Sequence, residues 1–162
     1  MLRPQEINTM QLAFLYKKEF ELCRVRPDET VVLVTDLSTR REYVEAAFAA
    51  AAEIGAGIYE MKVNRKFSTT HIGGEWVFDT KGSIAAIEAA DLVVTHHIPL
   101  GSEWMAKGCA AGTRFLMIYD APDDLARLMS PPGLKEAASY ARDKVHKASE
   151  MRVISKAGTD FR

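Results

Sequence analysis

Cysteine is nearly missing from this chain: Cys23 and Cys109 are the two among 162 residues. They stand far apart and form no CxxC pattern, so nothing suggests a disulfide framework, and the plain reading is two partly buried thiols in a reducing compartment. Long apolar runs are missing as well. No segment approaches the roughly 18 consecutive apolar residues of a membrane-spanning helix, and Met1 to Thr9 lacks a basic-then-apolar leader pattern. Charge of one sign is not in excess: the net charge is -1, which offers no attraction to nucleic acid or to an anionic membrane. The expected location is the cytoplasm. Three fingerprints of common chemistry are absent too. The first predicted strand runs into Asp36-Leu37-Ser38-Thr39 where a dinucleotide-binding turn would read GxGxxG, and neither GxxxxGK[ST] nor GxSxG occurs.

What is present is an ordinary globular composition. Hydrophobic residues make up 48% and charged residues 27%, and the length suits one domain able to bury a core. From Ile7 to Cys23, apolar residues at Met10, Phe14, Leu15 and Leu22 suggest an amphipathic helix. Thr30 to Thr35 reads TVVLVT, the unbroken β-branched run of a strand covered on both faces. Ser38 or Thr39 can cap an alanine-rich helix, Arg40 to Ile54, that stops at Gly55. A second strand follows over Gly57 to Val63. Asn64 to Thr80 reads as a long loop, which in a compact domain is often functional. Lys81 to Ala90 is a short helix, Asp91 to Thr95 a third strand, and Ser102 caps a helix to about Ala110. Arg114 to Tyr119 is a fourth strand, Asp120 to Pro122 opens another helix, Leu134 to Ser149 is a further amphipathic helix, and Met151 to Ser155 is a fifth strand. Strands alternating with helices predict an α/β domain: an open, doubly wound parallel sheet of about five strands in three layers. Gly158-Thr159-Asp160-Phe161 reads as a turn into one more strand.

Ligands of open α/β sheets bind beyond the carboxyl ends of the strands. Those positions offer Asp36, Ser38 and Thr39, then Asn64 and Arg65, then His96 and His97, then Asp120, and last Lys156. Such loops are polar in any case, so each residue also has a plain reading as a helix cap or turn. His96 and His97 are candidates for a general base, because imidazole titrates near neutral pH. Neighbours in an extended segment point to opposite sides, so the two are not expected to share a metal. His71 and His146 have no companion at metal-ligand spacing. Trp104 and Met105 read as core.

Ala89-Ala90-Asp91-Leu92-Val93-Val94, Gly112-Thr113-Arg114-Phe115-Leu116 and Ser155-Lys156-Ala157-Gly158-Thr159-Asp160-Phe161 resemble the N-terminal domain of the 2,5-dihydroxypyridine 5,6-dioxygenase family, whose architecture is shared with the aminopeptidase T group of metallopeptidases. The resemblance implies an N-terminal α/β domain over residues 1–155, with residues 156–162 opening a connection to a C-terminal domain. That further domain would hold the metal: Fe(II) for a ring-cleaving dioxygenase of extradiol type, or Zn(II) or Co(II) for an aminopeptidase. No metal ligand is carried onto this chain. In the family a loop after the third strand offers a histidine to the substrate. Gly101 stands near that position here, and His96 and His97 come a few residues earlier. The resemblance also implies a small-molecule substrate and a homo-oligomer; the residues expected to touch that substrate are Asp36, Ser38, Asp120 and Lys156 from the strand ends, with Gly101 near the family's histidine position. A third reading from the residues themselves is a non-catalytic, flavodoxin-like binding module with Asp36 and Asp120 as its acidic pocket.

Overall fold

The structure, a computed structural model, describes residues 9–63, 80–119 and 121–162. The loop expected over Asn64 to Thr80 therefore lies almost wholly outside the described residues, with Asn64, Arg65 and His71, and so does Asp120. The chain divides into two compact units, Met1–Leu128 and Met129–Arg162.

In the first unit the order is α1 (Thr9–Leu22), β1 (Thr30–Thr35), α2 (Arg41–Ile54), β2 (Gly57–Lys62), α3 (Lys81–Glu88), β3 (Leu92–Thr95), α4 (Glu103–Ala111), β4 (Arg114–Met117) and α5 (Pro122–Leu128). The four strands form one parallel sheet in the order β2-β1-β3-β4. β1 lies inside the sheet, and its apolar run has cover on both sides. Val31 and Leu33 pack with Leu92, Val94 and the buried faces of α1 and α2, whereas Val32 and Val34 pack with Val93, Ile87 and Trp104 on the other face. The period of two along each strand thus builds the three layers. Each fully buried Val or Leu here contributes about 1.5–3 kcal/mol relative to exposure.

Among the described residues the sheet holds four strands. Met151 to Ser155 does not extend it. Val153–Ile154 (β5) pairs antiparallel with Asp160–Phe161 (β6) in a separate two-stranded sheet of the second unit. The turn between them closes locally, with Ser155 N–H donating to the Thr159 carbonyl at 3.0 Å. A short loop costs modestly less closure entropy than a long crossover, about 0.6 kcal/mol per halving of length. The turn foreseen at Gly158 is real, and its partner strand is the one just before it. Leu134–Lys147 (α6) forms the expected helix, but none of its residues is buried.

Helix α1 also corrects the expectation. Its buried stripe is Leu12, Tyr16 and Phe20, at helical spacing of four, while Met10, Phe14 and Leu22 are 84%, 56% and 47% exposed. Apolar residues line two sides of this helix, and periodicity does not say which side meets α2. The end of α2 is as expected: Gly55 takes the left-handed conformation at φ 87°, and its N–H donates to Ala51 and Ala52 carbonyls. Its start differs, because Arg40 is the N-cap and makes no side-chain capping bond. Ser102 does cap α4, accepting from Met105 N–H at 3.4 Å.

At the amino ends of the strands, Arg114 ties three connections together. Its guanidinium donates to Glu29 Oε2 at 2.5 Å, to the Arg24 and Asp91 carbonyls at 3.0 and 3.1 Å, and to the Cys23 carbonyl. Asp91 Oδ2 accepts from Thr30 N–H at 2.8 Å. This end of the sheet is closed by structural bonds, which leaves the carboxyl end for a ligand.

Candidate functional site

The chain leaves β1 toward β2 on one side, while β3 sits on the other. The β1/β3 boundary is therefore the switch point, where open α/β sheets form a crevice. Val34 pairs with Thr95, so the loops after β1 and β3 leave the sheet side by side.

The first loop is organised by Asp36, which is 2% exposed. Its Oδ1 accepts from Ser38 N–H, Ser38 Oγ and Thr39 N–H at 2.8 Å each and from Thr39 Oγ1 at 2.9 Å. Short polar residues two and three positions on can fold back in this way. The carboxylate's capacity goes largely to its own loop, and Ser38 and Thr39 are turned toward it rather than capping α2.

The second loop bends at His96 and His97, just past β3, and turns the two histidines to opposite sides. His96 faces α1 and α2: Nε2 lies 2.7 Å from the Tyr16 hydroxyl, and the imidazole stacks on Tyr43 with centroids 5.3 Å apart and planes at 26°. His97 faces α4, with its ring centroid 5.8 Å from that of Trp104. Burial lowers both imidazoles to about 4. For His96 the neighbouring His97 adds to this, while the Val34 carbonyl and Asp36 oppose it; for His97, Asp36 opposes it. Both rings are neutral at pH 7. Tyr16 is fully buried, and burial, then Tyr43, raises its hydroxyl pKa well above the usual phenol value.

Between the loops after β1, β3 and β4 opens a cleft of ≈ 170 Å³, lined by Ser38, Thr39, Arg40, Tyr43, His96, Ile118, Tyr119 and Ala121. Pockets for drug-sized ligands run to roughly 300–1,000 Å³, so this one suits a single small ring. Its wall offers hydroxyls, phenols, a neutral imidazole and the Arg40 guanidinium. Arg40 is mostly exposed, and among the described residues its ion pair is with Glu42, long at 3.8 Å. With Asp36 engaged by its loop, these donors favour a ligand rich in acceptors or carrying negative charge.

Of the residues expected at a site, Ser38 and His96 line this cleft, and Asp36 lies beneath Ser38 and Thr39. His97 and Gly101 are not among the lining residues. Gly101 turns the β3–α4 loop at φ 82° with open space around it. Lys156 belongs to the second unit. Tyr16, Arg40, Tyr43 and Tyr119 escape a reading based on loops alone, because three sit within or at the edge of helices and one just past a strand. The usable signal was an aromatic one turn inside a helix that follows a strand: Tyr43 there reaches back over the strand ends. Among the described residues, no three His, Cys, Asp or Glu side chains converge as a metal site would require. These residues do not fit a metal ion, and no chemical step is assigned through one.

The sequence profile of 2,5-dihydroxypyridine 5,6-dioxygenase, the NicX family, matches residues 11–162. The chain belongs to the NicX family. One NicX relative, the 2,5-dihydroxypyridine 5,6-dioxygenase of Pseudomonas putida, is 29% identical over 163 residues, covering 96% of this chain and 47% of that protein. The solved structure of 2,5-dihydroxypyridine dioxygenase from Pseudomonas putida KT2440 superposes with a TM-score of 0.81 at 27% identity, again over 96% of this chain and 47% of the other. The resemblance read from three short segments thus extends over nearly the whole chain. The chain spans about half the length of the NicX relative it matches. No helix among the described residues is long and apolar enough to cross a membrane.

Proposed function

We propose that this chain is the ring-docking part of a dioxygenase acting on a hydroxylated aromatic or N-heteroaromatic ring, and that the cleft at the β1/β3 switch holds one face of that ring. One observation carries the reading: the NicX match covers residues 11–162, and so includes every residue of the cleft. The size of the cleft and its phenol and imidazole walls suit a planar ring. Arg40 complements an ionised ring hydroxyl, and the loop held by Asp36 sets where Ser38 and Thr39 stand. Of the two histidines, His96 is the one at the cleft. In the docked complex His96 keeps its bond to the Tyr16 hydroxyl, 2.7 Å from Nε2, and serves as a wall; acting as a base for a ring hydroxyl requires that bond to break after docking. Asp36 acts through its loop. Gly101 permits the turn after His97, and Asp120 and Lys156 remain candidate substrate contacts. The reading requires Fe(II), held by groups other than the described residues, in a further domain or a second copy of the protein.

The test is oxygen consumption with 2,5-dihydroxypyridine and related hydroxylated rings, using protein loaded with Fe(II) and ¹⁸O₂. Incorporation of both oxygen atoms into a ring-opened product supports the proposal. Release of amino acids from short peptides in the presence of Zn(II) or Co(II), without oxygen uptake, replaces it with aminopeptidase activity. Binding of rings with neither reaction leaves a binding module.

A further inference from the structure

Helix α1 contributes no residue to the wall of the cleft, yet it touches the site through one hydroxyl. Tyr16 is fully buried and its hydroxyl meets His96 Nε2 at 2.7 Å. The other imidazole nitrogen, Nδ1, is also buried and meets no partner in good hydrogen-bond geometry among the described residues, although the Val34 backbone acts on the ring as an acceptor. Two arrangements of the protons are conceivable, and they differ in cost. If Nε2–H donates to Tyr16, the phenol hydrogen loses this partner and the Nδ1 lone pair stays buried without a donor. If Tyr16 donates to Nε2, the phenol is satisfied and one group, Nδ1–H, remains. That group sits on a ring that feels the Val34 carbonyl, which can only accept. Leaving fewer buried groups unmade favours the second arrangement.

We propose that Tyr16 is a positioning residue of the cleft: it donates to Nε2, fixes His96 as the neutral Nδ1–H tautomer, and pins the imidazole against Tyr43 as a rigid wall. The bond to Tyr16 adds a fixed anchor to the His96–Tyr43 stack, 5.3 Å between centroids. A ring entering the cleft then meets a surface already in place, and ordering costs of binding fall. This deepens the function proposed above and rests on it for the identity of the ligand, but the tautomer does not depend on any ligand.

Two measurements test it. In ¹⁵N NMR of the 162-residue protein at pH 7, His96 should show an unprotonated, acceptor-type Nε2 and a protonated Nδ1. The opposite tautomer, or an equal mixture, overturns the proposal without any variant. Tyr16→Phe keeps the ring and removes the hydroxyl. It should shift the His96 ¹⁵N signals toward a mixture and weaken binding of 2,5-dihydroxypyridine, followed by fluorescence quenching, about five- to tenfold. A merely structural Tyr16 would lower the melting temperature and leave both the tautomer and the affinity unchanged, which also overturns the proposal. If the unmodified protein does not bind the ring, the functional reading fails, and the NMR result still decides the role of Tyr16.

Discussion

Acid should unfold the first unit through His96 and His97. In the unfolded chain each imidazole titrates near its usual 6.5, and in the fold burial, as the main cause, lowers both to about 4. The folded state therefore binds fewer protons than the unfolded state across that interval. Stability is fully present above about pH 6.5 and is lost as pH falls toward 4. Linkage between pH 7 and pH 5 gives a loss of about 2 kcal/mol for each histidine, or about 4 kcal/mol for the pair. That is a large share of the roughly 5–15 kcal/mol available to a domain. The window stops at pH 5 to stay above ordinary carboxylate titration. Urea denaturation followed by circular dichroism at pH 7, 6 and 5 reads the effect directly. His96→Gln and His97→Leu should each flatten the curve by about half, and together almost completely. Stability that changes by less than about 0.5 kcal/mol across the window, or a double variant that keeps the full slope, would falsify the assignment of neutral buried imidazoles.

Four further outcomes follow from the geometry. Gly108→Ala would place a Cβ 2.8 Å from Phe115 Cζ and 2.9 Å from Ile87 Cγ2, whereas nothing lies within 4 Å of a Cβ at Gly82; Gly82→Ala should be neutral or stabilising by up to about 1 kcal/mol, and Gly108→Ala should lie about 1–3 kcal/mol below it in paired thermal melts. Arg114→Met removes one of the two guanidinium groups on buried Glu29, leaving Arg26 at 3.2 Å, and should cost about 1–3 kcal/mol in urea, while Lys107→Met, at an exposed pair with Glu103, should stay within about 0.5 kcal/mol. Asp36→Asn keeps the shape but weakens the bonds that hold Ser38 and Thr39, and should cost about 1–3 kcal/mol and reduce ring affinity; unchanged affinity on titration would separate the loop from the cleft. Arg40→Gln should weaken binding of an ionised ring about tenfold, and that difference should shrink as salt is raised; a salt-independent loss would point to a packing role.

Much of this architecture is written locally. The run Val31 to Val34 is apolar at every position, and only a strand covered on both faces accommodates that. Gly55 marks the end of α2 because a left-handed residue is cheapest as glycine. Asp91, Thr113 and Gly112 fall in the segments that first suggested the family, and they sit where β3 and β4 begin. His96 and His97 do face opposite sides, but they do so in a bend just past β3, not in the extended backbone from which that facing was expected. Local pattern could not rank the two apolar sides of α1, because Met10 and Phe14 are as hydrophobic as the Leu12 and Phe20 that α2 covers. Nor could it place Met151 to Ser155, since a strand of that length can add to a parallel sheet or close a hairpin.

The sequence by itself determined the α/β class, the alternation of strands and helices, and the loops at which a ligand could be met, because these depend on period, propensity and capping chemistry over a few residues. Only the tertiary structure decided that β3 lies beside β1, that Tyr16, 80 residues before His96, bonds to its imidazole, and that Arg40, Tyr43 and Tyr119 share one cleft. Those are choices among distant partners, set by how the layers pack and by which buried polar groups can satisfy one another.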